Sequence, residues 1–219
     1  MPPMSGLLEG QVALVTGAGG GIGRGIASRF AQEGAAVVLH CRTAVEAAGA
    51  VASRIRESGR RAVVVRGDLT DEDACRRVVG EAAEWGGGRL TALVNNAGVQ
   101  PTQELPGMTA AEWRAVVDAN LSSVFACTQA AVDARSAALE YGPFGIRVNT
   151  VSPGLIHREG LEEAWPEGVR RWERVAPTGR LGRPEDVGDA CVFLASGLAS
   201  WVTGHDLVVD GGVSARPTW

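Results

Sequence analysis

Short apolar runs rich in β-branched residues alternate with longer amphipathic stretches along most of the chain. Strands that are apolar on both faces and separated by helices are typical of parallel sheets with helices on either side. The alternation therefore predicts an α/β fold with a doubly wound, Rossmann-type and mostly parallel sheet. We expect one domain over residues 1–219. The predicted strands are 12–16, 36–40, 62–67, 90–95, 146–152 and 206–210.

Charge and hydropathy exclude several classes of function. The formal net charge is −4, and the short arginine groups are flanked by acids, so the sequence predicts no nucleic-acid partner. The sequence predicts no apolar stretch long enough to span a bilayer, and the first residues do not resemble a signal peptide. We therefore expect a cytoplasmic protein that has no membrane partner.

Cysteine and histidine are too sparse and too irregularly spaced to predict a metal site. No C-x-x-C pair is present, and no ligand spacing links the three histidines. The pattern instead favours reduced and mostly buried thiols. The four cysteines are Cys41, Cys75, Cys127 and Cys191.

A glycine-rich turn joins the first predicted strand to the first predicted helix. It begins at Thr16-Gly17 and continues through Gly21-Ile22-Gly23. Glycines at such a turn let the backbone approach a pyrophosphate, and the helix N-terminus offers free N–H groups and partial positive charge to the anion. Because the turn lies between strand and helix, it predicts a dinucleotide site.

The spacing T-G-x-x-x-G-x-G at this turn, with further motifs in order, resembles the short-chain dehydrogenase/reductase family over nearly the whole chain. The resemblance implies that the turn holds the cofactor, that Asp68-Leu69 lies beside the adenine, and that Asn120 belongs to a proton relay. It also implies cofactor contacts beyond the fourth and fifth predicted strands and a C-terminal D-G-G motif. These positions are Asn95, Ala97 and Gly98 of N-N-A-G, Pro153 and Gly154 of S-P-G, and Asp210-Gly211-Gly212.

The resemblance further implies hydride transfer between a nicotinamide cofactor and a small alcohol or ketone, in a homo-oligomer. NAD sites place a carboxylate after the second strand, whereas NADP sites supply an arginine for the 2′-phosphate. Here the strand ends His40-Cys41-Arg42 without an acid. The sequence therefore favours NADP(H) over NAD(H), with Arg42 at the phosphate.

The family's catalytic Ser…Tyr-x-x-x-Lys constellation has no counterpart in this sequence. All 21 basic side chains are arginines, and the single tyrosine, Tyr141, stands in a stretch that resembles the segment after the catalytic one. A phenol titrates near pH 10 and needs a neighbouring cation to act at neutral pH. Asn120 is thus the only catalytic position retained, and we expect one strand fewer than in the family.

The missing strand and half-helix fall at a junction near Ala134-Arg135. Either the natural protein carries residues there that the present sequence lacks, or the chain itself is shortened. A helix over 121–141, about 30 Å long, would then be a single crossover that lets the sheet close with one strand fewer. The functional alternatives are an oxidoreductase whose complete form contains the segment, a nucleotide-binding pseudoenzyme or deletion form, and a structural or partner-binding protein.

The substrate is not specified by any motif. A small substrate lid is expected at about 155–180 by resemblance, and Trp165 and Trp172 within it either line a pocket or pack the lid down. Arg158 stands where the family often has threonine. This departure affects the carboxamide or phosphate contact that the family usually makes at this position.

Overall fold

The computed structural model describes residues 6–101, 104–133 and 145–215. Six strands alternate with helices along these residues, as the sequence predicts. The strands are β1 (Val12–Val15), β2 (Ala36–Cys41), β3 (Ala62–Arg66), β4 (Ala92–Val94), β5 (Thr150–Pro153) and β6 (Asp206–Val209). The helices are α1 (Gly21–Gln32), α2 (Val45–Glu57), α3 (Glu72–Trp85), α4 (Ala110–Val117), α5 (Ser123–Asp133), α6 (Leu161–Ala164), α7 (Pro166–Val175) and α8 (Pro184–Ala195).

The first four strands form a parallel sheet in the order β3-β2-β1-β4. Alternate residues of β1 enter two cores: Ala13 and Val15 contact the α1, α2 and α8 side, whereas Val12 and Leu14 contact the α3 and α5 side. All four side chains are buried because both faces of the sheet are covered. The predicted Rossmann-type α/β fold is therefore confirmed.

Strands β5 and β6 form a second, two-stranded parallel sheet. Val151 of β5 packs against the same core as Val94 of β4, so the two sheets share one hydrophobic layer. Among the described residues, however, no ladder joins β4 to β5. The alternative in which a shortened chain closes into a single sheet is therefore not seen in this part of the molecule.

Helix packing explains why the second sheet keeps its own position. Helix α8 contacts β5 and β6 and crosses α1 at very close range. A Cβ added to Gly25 of α1 would lie 2.5 Å from Cβ of Pro184 in α8, so only glycine permits this approach. Helix α8, which packs on α1, also contacts β5 and β6, so it links the second sheet to the first without a ladder from β4 among the described residues.

Helix starts differ in how they are capped. Thr109 and Glu112 form a capping box at the start of α4, whereas α2 begins after Ala44 and has no side-chain cap. A π-helical segment, Asp118–Ser122, joins α4 to α5. Any continuation of α5 beyond Asp133 lies outside the described residues.

The helical stretch Ala110–Val132 is long and apolar enough, by length and composition, to cross a membrane. The prediction that no stretch reaches this length was therefore wrong. Only 22% of the apolar window is buried, so most of this stretch is exposed among the described residues. Ala126, Cys127 and Ala130 of α5 pack into the core beside α3, which gives the apolar composition of this part of the helix a structural cause.

His40, at the end of β2, connects three strand ends. Its Nδ1 accepts a hydrogen bond from the Gly17 amide at 3.3 Å, and its Nε2 lies 3.1 Å from the Gly67 carbonyl oxygen. Accepting at Nδ1 requires the neutral ring with the proton on Nε2. Burial lowers the pKa of His40 below its ordinary value of 6.5, so the neutral ring is the folded-state form.

This lowered pKa predicts that stability declines in mild acid. Because the unfolded chain binds a proton at His40 more readily, its contribution is fully present above pH 6.5 and is lost as the pH falls toward the folded-state pKa. We expect denaturant midpoints to fall between about pH 7.5 and pH 5.5.

The matched variant is His40→Leu. This substitution should lower the free energy of unfolding by about 1–3 kcal/mol at neutral pH, because the Gly17 amide and the Gly67 carbonyl lose their partner. Its midpoint should depend less on pH than that of the wild type over the same range. Equal pH dependence in the two proteins would show that His40 is not the titrating group.

Candidate cofactor site

The turn between β1 and α1 is shaped for an anion. Gly17 has φ of +66°, and a Cβ added to Gly23 would lie 2.5 Å from Nδ2 of Asn96, so a side chain at Gly23 would collide with the neighbouring loop. Helix α1 has no side-chain cap at Gly20 and no acid in its first turn. The first N–H groups of α1 are thus left for a ligand, as a pyrophosphate requires. The residues present fit a dinucleotide.

Thr16 fixes this turn to the loop after β4. Its hydroxyl donates to the Val94 carbonyl at 3.2 Å and accepts from the amides of Asn96 and Ala97 at 2.9 Å each. Asn96 returns a hydrogen bond from Nδ2 to the Thr16 carbonyl at 2.8 Å. The carboxyl ends of β1 and β4 are therefore held together by side-chain bonds as well as by the sheet.

The next part of the predicted site lies where β2 and β3 end. Arg42 Nη1 is 3.8 Å from Oδ2 of Asp68. The amide and hydroxyl of Thr70 donate to Oδ1 of Asp68, and these bonds, with Arg42 nearby, hold the pKa of this carboxyl below its usual range. Arg42 and Asp68 line one pocket, whereas the side chain of Leu69 is buried in the α3 core. Leu69 can therefore contact a ligand chiefly through its backbone.

Asn120, in the π-helical segment, fastens the loop after β4 to the helix. Its Oδ1 accepts from the Val99 amide and its Nδ2 donates to the Val99 carbonyl, both at 3.0 Å. Nδ2 also donates to the Val116 carbonyl at 2.9 Å. These bonds give the Asn120 side chain a positioning role. Its part in a proton relay stays a prediction.

Asn95 and the end of β5 are also placed by the structure. Asn95 Nδ2 donates to the Thr128 hydroxyl of α5 at 3.1 Å. Pro153 ends β5, and the Gly154 amide continues the ladder to the Val209 carbonyl at 3.0 Å. Ser152 donates to Asp206 at 2.7 Å and so faces the neighbouring strand β6. A Cβ added to Gly154 would lie 2.6 Å from Cζ2 of Trp172 and 2.8 Å from Cα of Asp210, which places Gly154 against α7 and the end of β6.

Helices α6 and α7 form a small core of their own. Trp172 packs against Leu161, Val169 and Leu181, whereas the Trp165 side chain is largely exposed. Of the two roles considered for the tryptophans, packing therefore applies to Trp172. The carboxylate of the D-G-G motif, Asp210, accepts from the Gly212 and Ser214 amides. These bonds, with the Ser214 hydroxyl, lower the pKa of Asp210.

The acid/base part of the predicted site cannot be built from the described residues. Tyr141 lies outside them, and the sequence has no lysine. Across the described ranges no three His, Cys, Asp or Glu side chains are grouped to hold a metal. All four cysteines are buried and free, as predicted, and burial raises the pKa of Cys191 to about 12. Such thiols are poor nucleophiles at neutral pH.

Four residues in this region were not predicted as site residues. Asn96 was recognised only as part of its motif, and His40 only as a residue before Arg42; neither was assigned a bond. Arg66 and Arg77 line the pocket of Arg42 and Asp68. No sequence signal marks them, because a strand-end arginine and a helix arginine are also typical of a solvated surface.

Known proteins resemble this chain over almost its whole length. Residues 11–137 match the family model described as short chain dehydrogenase, and residues 133–214 match the one described as Enoyl-(Acyl carrier protein) reductase. Cis-4-hydroxycyclohexanecarboxylate dehydrogenase of Sinomonas cyclohexanicum is 37% identical over 246 residues, covering 94% of this chain and 97% of the relative. That alignment is longer than the 219 residues of this chain, so the relative has positions with no counterpart here.

Solved structures agree with this assignment. A short-chain type dehydrogenase/reductase from Mycobacterium marinum superposes with a TM-score of 0.85 at 32% identity, covering 95% of this chain and 97% of that one. A short chain dehydrogenase from Burkholderia cenocepacia J2315, in complex with NADP, gives 0.84 at 28% identity, with 94% and 99% covered. With the family match over residues 11–137, these similarities show that the chain belongs to the short-chain dehydrogenase/reductase family of oxidoreductases.

Proposed function

We propose that the protein binds NADP(H) and that its activity is the oxidation of a small alcohol or the reduction of a small ketone. We further propose that the acid/base chemistry of this chain is compromised. The observation that carries the first part is the open N-terminus of α1 beside a turn in which Gly23 admits no side chain. Arg42, with no acid at the end of β2, supports NADP(H) over NAD(H). A family structure with NADP supports the same choice.

Each part of the site has a separate task under this proposal. The turn at Gly17–Gly23 and α1 would bind the pyrophosphate, Arg42 and Asp68 the adenosine half, and the loop at Asn95, Ala97 and Gly98 the rest of the cleft. When bound, the nicotinamide supplies the hydride or accepts it. Asn120 holds the loop through Val99, which keeps this wall of the cleft in place. We propose residues 155–180 as a substrate lid over Pro153 and Gly154.

The compromised chemistry follows from the missing cation. General acid/base catalysis typically contributes about 10²–10⁴-fold, and a phenol with no neighbouring ammonium supplies little of it at neutral pH. The excess length of the relative's alignment supports a missing internal segment. The change from one family match to the other at residues 133–137 supports its position near Ala134-Arg135.

We also propose a homo-oligomer in the cytoplasm. Large exposed apolar side chains support self-association, and four buried free thiols suit a reducing compartment. On the helical stretch from Ala110 these side chains are Trp113, Leu121 and Phe125.

The first test is cofactor binding. NADPH fluorescence titration of the wild type should saturate, and Gly23→Ala should weaken binding at least about tenfold, because the new Cβ would displace the turn. Gly80→Ala is the matched control, since Gly80 in α3 has open space around its Cβ position. No saturable NADPH binding by the wild type would exclude the proposed cofactor site.

The preference for NADP(H) is tested by reversing one charge. Arg42→Asp should weaken NADPH binding at least about tenfold while leaving NADH binding unchanged or stronger, because the carboxylate repels the 2′-phosphate. Arg60→Asp serves as a control with the same change of charge, because Arg60 lies before the amino end of β3, away from the carboxyl ends of the strands. Equal losses for both coenzymes would contradict the role of Arg42.

Turnover tests the compromised chemistry. A preparation whose intact mass is 22.7 kDa should reduce ketones at least about 10²-fold more slowly than complete family members under the same conditions. NADPH binding by the same preparation is the control for folding. A rate equal to that of the relatives would overturn this part of the proposal.

A further inference from the structure

We infer that Arg66, at the end of β3, is a second cation for the cofactor's 2′-phosphate and that Arg77 beside it is not. This inference rests on the proposed NADP(H) site and extends it to a residue that no sequence motif marks. Arg42, Arg66 and Arg77 line one pocket at the carboxyl ends of β2 and β3, together with Thr43, Gly67 and Asp68.

The register of the sheet places Arg66 next to Arg42. Cys41, the last residue of β2, is paired with Arg66, the last residue of β3. Nε of Arg66 donates to the Arg42 carbonyl at 3.1 Å. This bond ties the guanidinium group of Arg66 to the backbone from which the Arg42 side chain leaves, so both cations are presented at one edge of the sheet.

The three arginines differ in how fully their side chains are engaged. Arg77 Nη1 donates to the Arg66 carbonyl and to Glu81, both at 3.1 Å, and so has its own carboxylate partner. Arg42 forms an ion pair with Asp68, in which Nη1 lies 3.8 Å from Oδ2. Within the described part of the chain, Arg66 has no ion pair, and its single side-chain hydrogen bond uses Nε. Its two terminal nitrogens are therefore the donors left for a ligand.

Charge and shape favour a phosphate monoester as that ligand. A phosphate monoester carries about −1.5 to −2 charge at neutral pH. The negative charge of Asp68 offsets the positive charge of Arg42, so Arg42 alone would attract a phosphate only weakly. The planar guanidinium of Arg66 adds a full charge and two nearly parallel donors, which suit phosphate oxygens.

The experiment compares NADPH with NADH, which lacks the 2′-phosphate, in fluorescence titrations of three proteins. Arg66→Gln should weaken NADPH binding about tenfold, through loss of a charge-assisted bond, and change NADH binding less than about twofold. Arg77→Gln is the matched control, because it removes the same charge from the same pocket, and it should weaken NADPH binding less than about threefold. Unchanged melting temperatures would show that both variants fold.

Adenosine 2′,5′-bisphosphate separates this inference from the proposed function, because it carries the 2′-phosphate without nicotinamide. If the bisphosphate binds in an Arg66-dependent way while NADPH does not bind, the proposed function fails and the inference stands. If both bind and Arg66→Gln matches the wild type or Arg77→Gln, the inference fails alone. An equal loss for NADH also overturns it, and binding of neither ligand overturns both.

Discussion

Hydrogen bonds at the carboxyl edge of the first sheet hold the candidate site together. Thr16 bonds the turn after β1 to the loop after β4, and His40 bonds the same turn to the end of β3. Backbone ladders alone would align the strands but would leave the loops beyond them free to adopt other shapes. Because Thr16 and His40 are almost fully buried, these bonds are costly to leave unmade, which favours the observed conformation of the turn.

The break between the two sheets has a different origin. An interior strand of a parallel sheet has a ladder on each side, whereas β4 and β5 each have a single ladder within the described residues and are not paired with each other. The second sheet stays in place because α8 packs on α1 at a contact that only Gly25 permits. The glycine-rich turn, the start of α1 and the pocket of Arg42 and Asp68 are all built on the first sheet.

Under the proposal, the described residues supply positive charge for a dinucleotide and few groups that could move a proton. Helix α1 and the arginines near β2 and β3 attract anions. Histidine is the usual proton carrier at neutral pH, but His40 beside the glycine-rich turn has a pKa lowered by burial, and both of its ring nitrogens are engaged. Under the proposal, the described residues contribute mainly to binding the cofactor, whereas acid/base chemistry would need groups that the sequence does not supply in the family's pattern.

The sequence by itself determined the strand and helix order, the turn at Thr16–Gly23 and the absence of lysine, because periodicity, glycine spacing and residue identity are local properties. It also placed Arg42 and Asp68 at neighbouring strand ends. Tertiary structure alone decided that β5 stays apart from β4, that His40 bridges Gly17 to Gly67, and that Arg66 joins Arg42 in one pocket. These outcomes depend on sheet register and helix packing between residues distant in sequence, which no local pattern encodes.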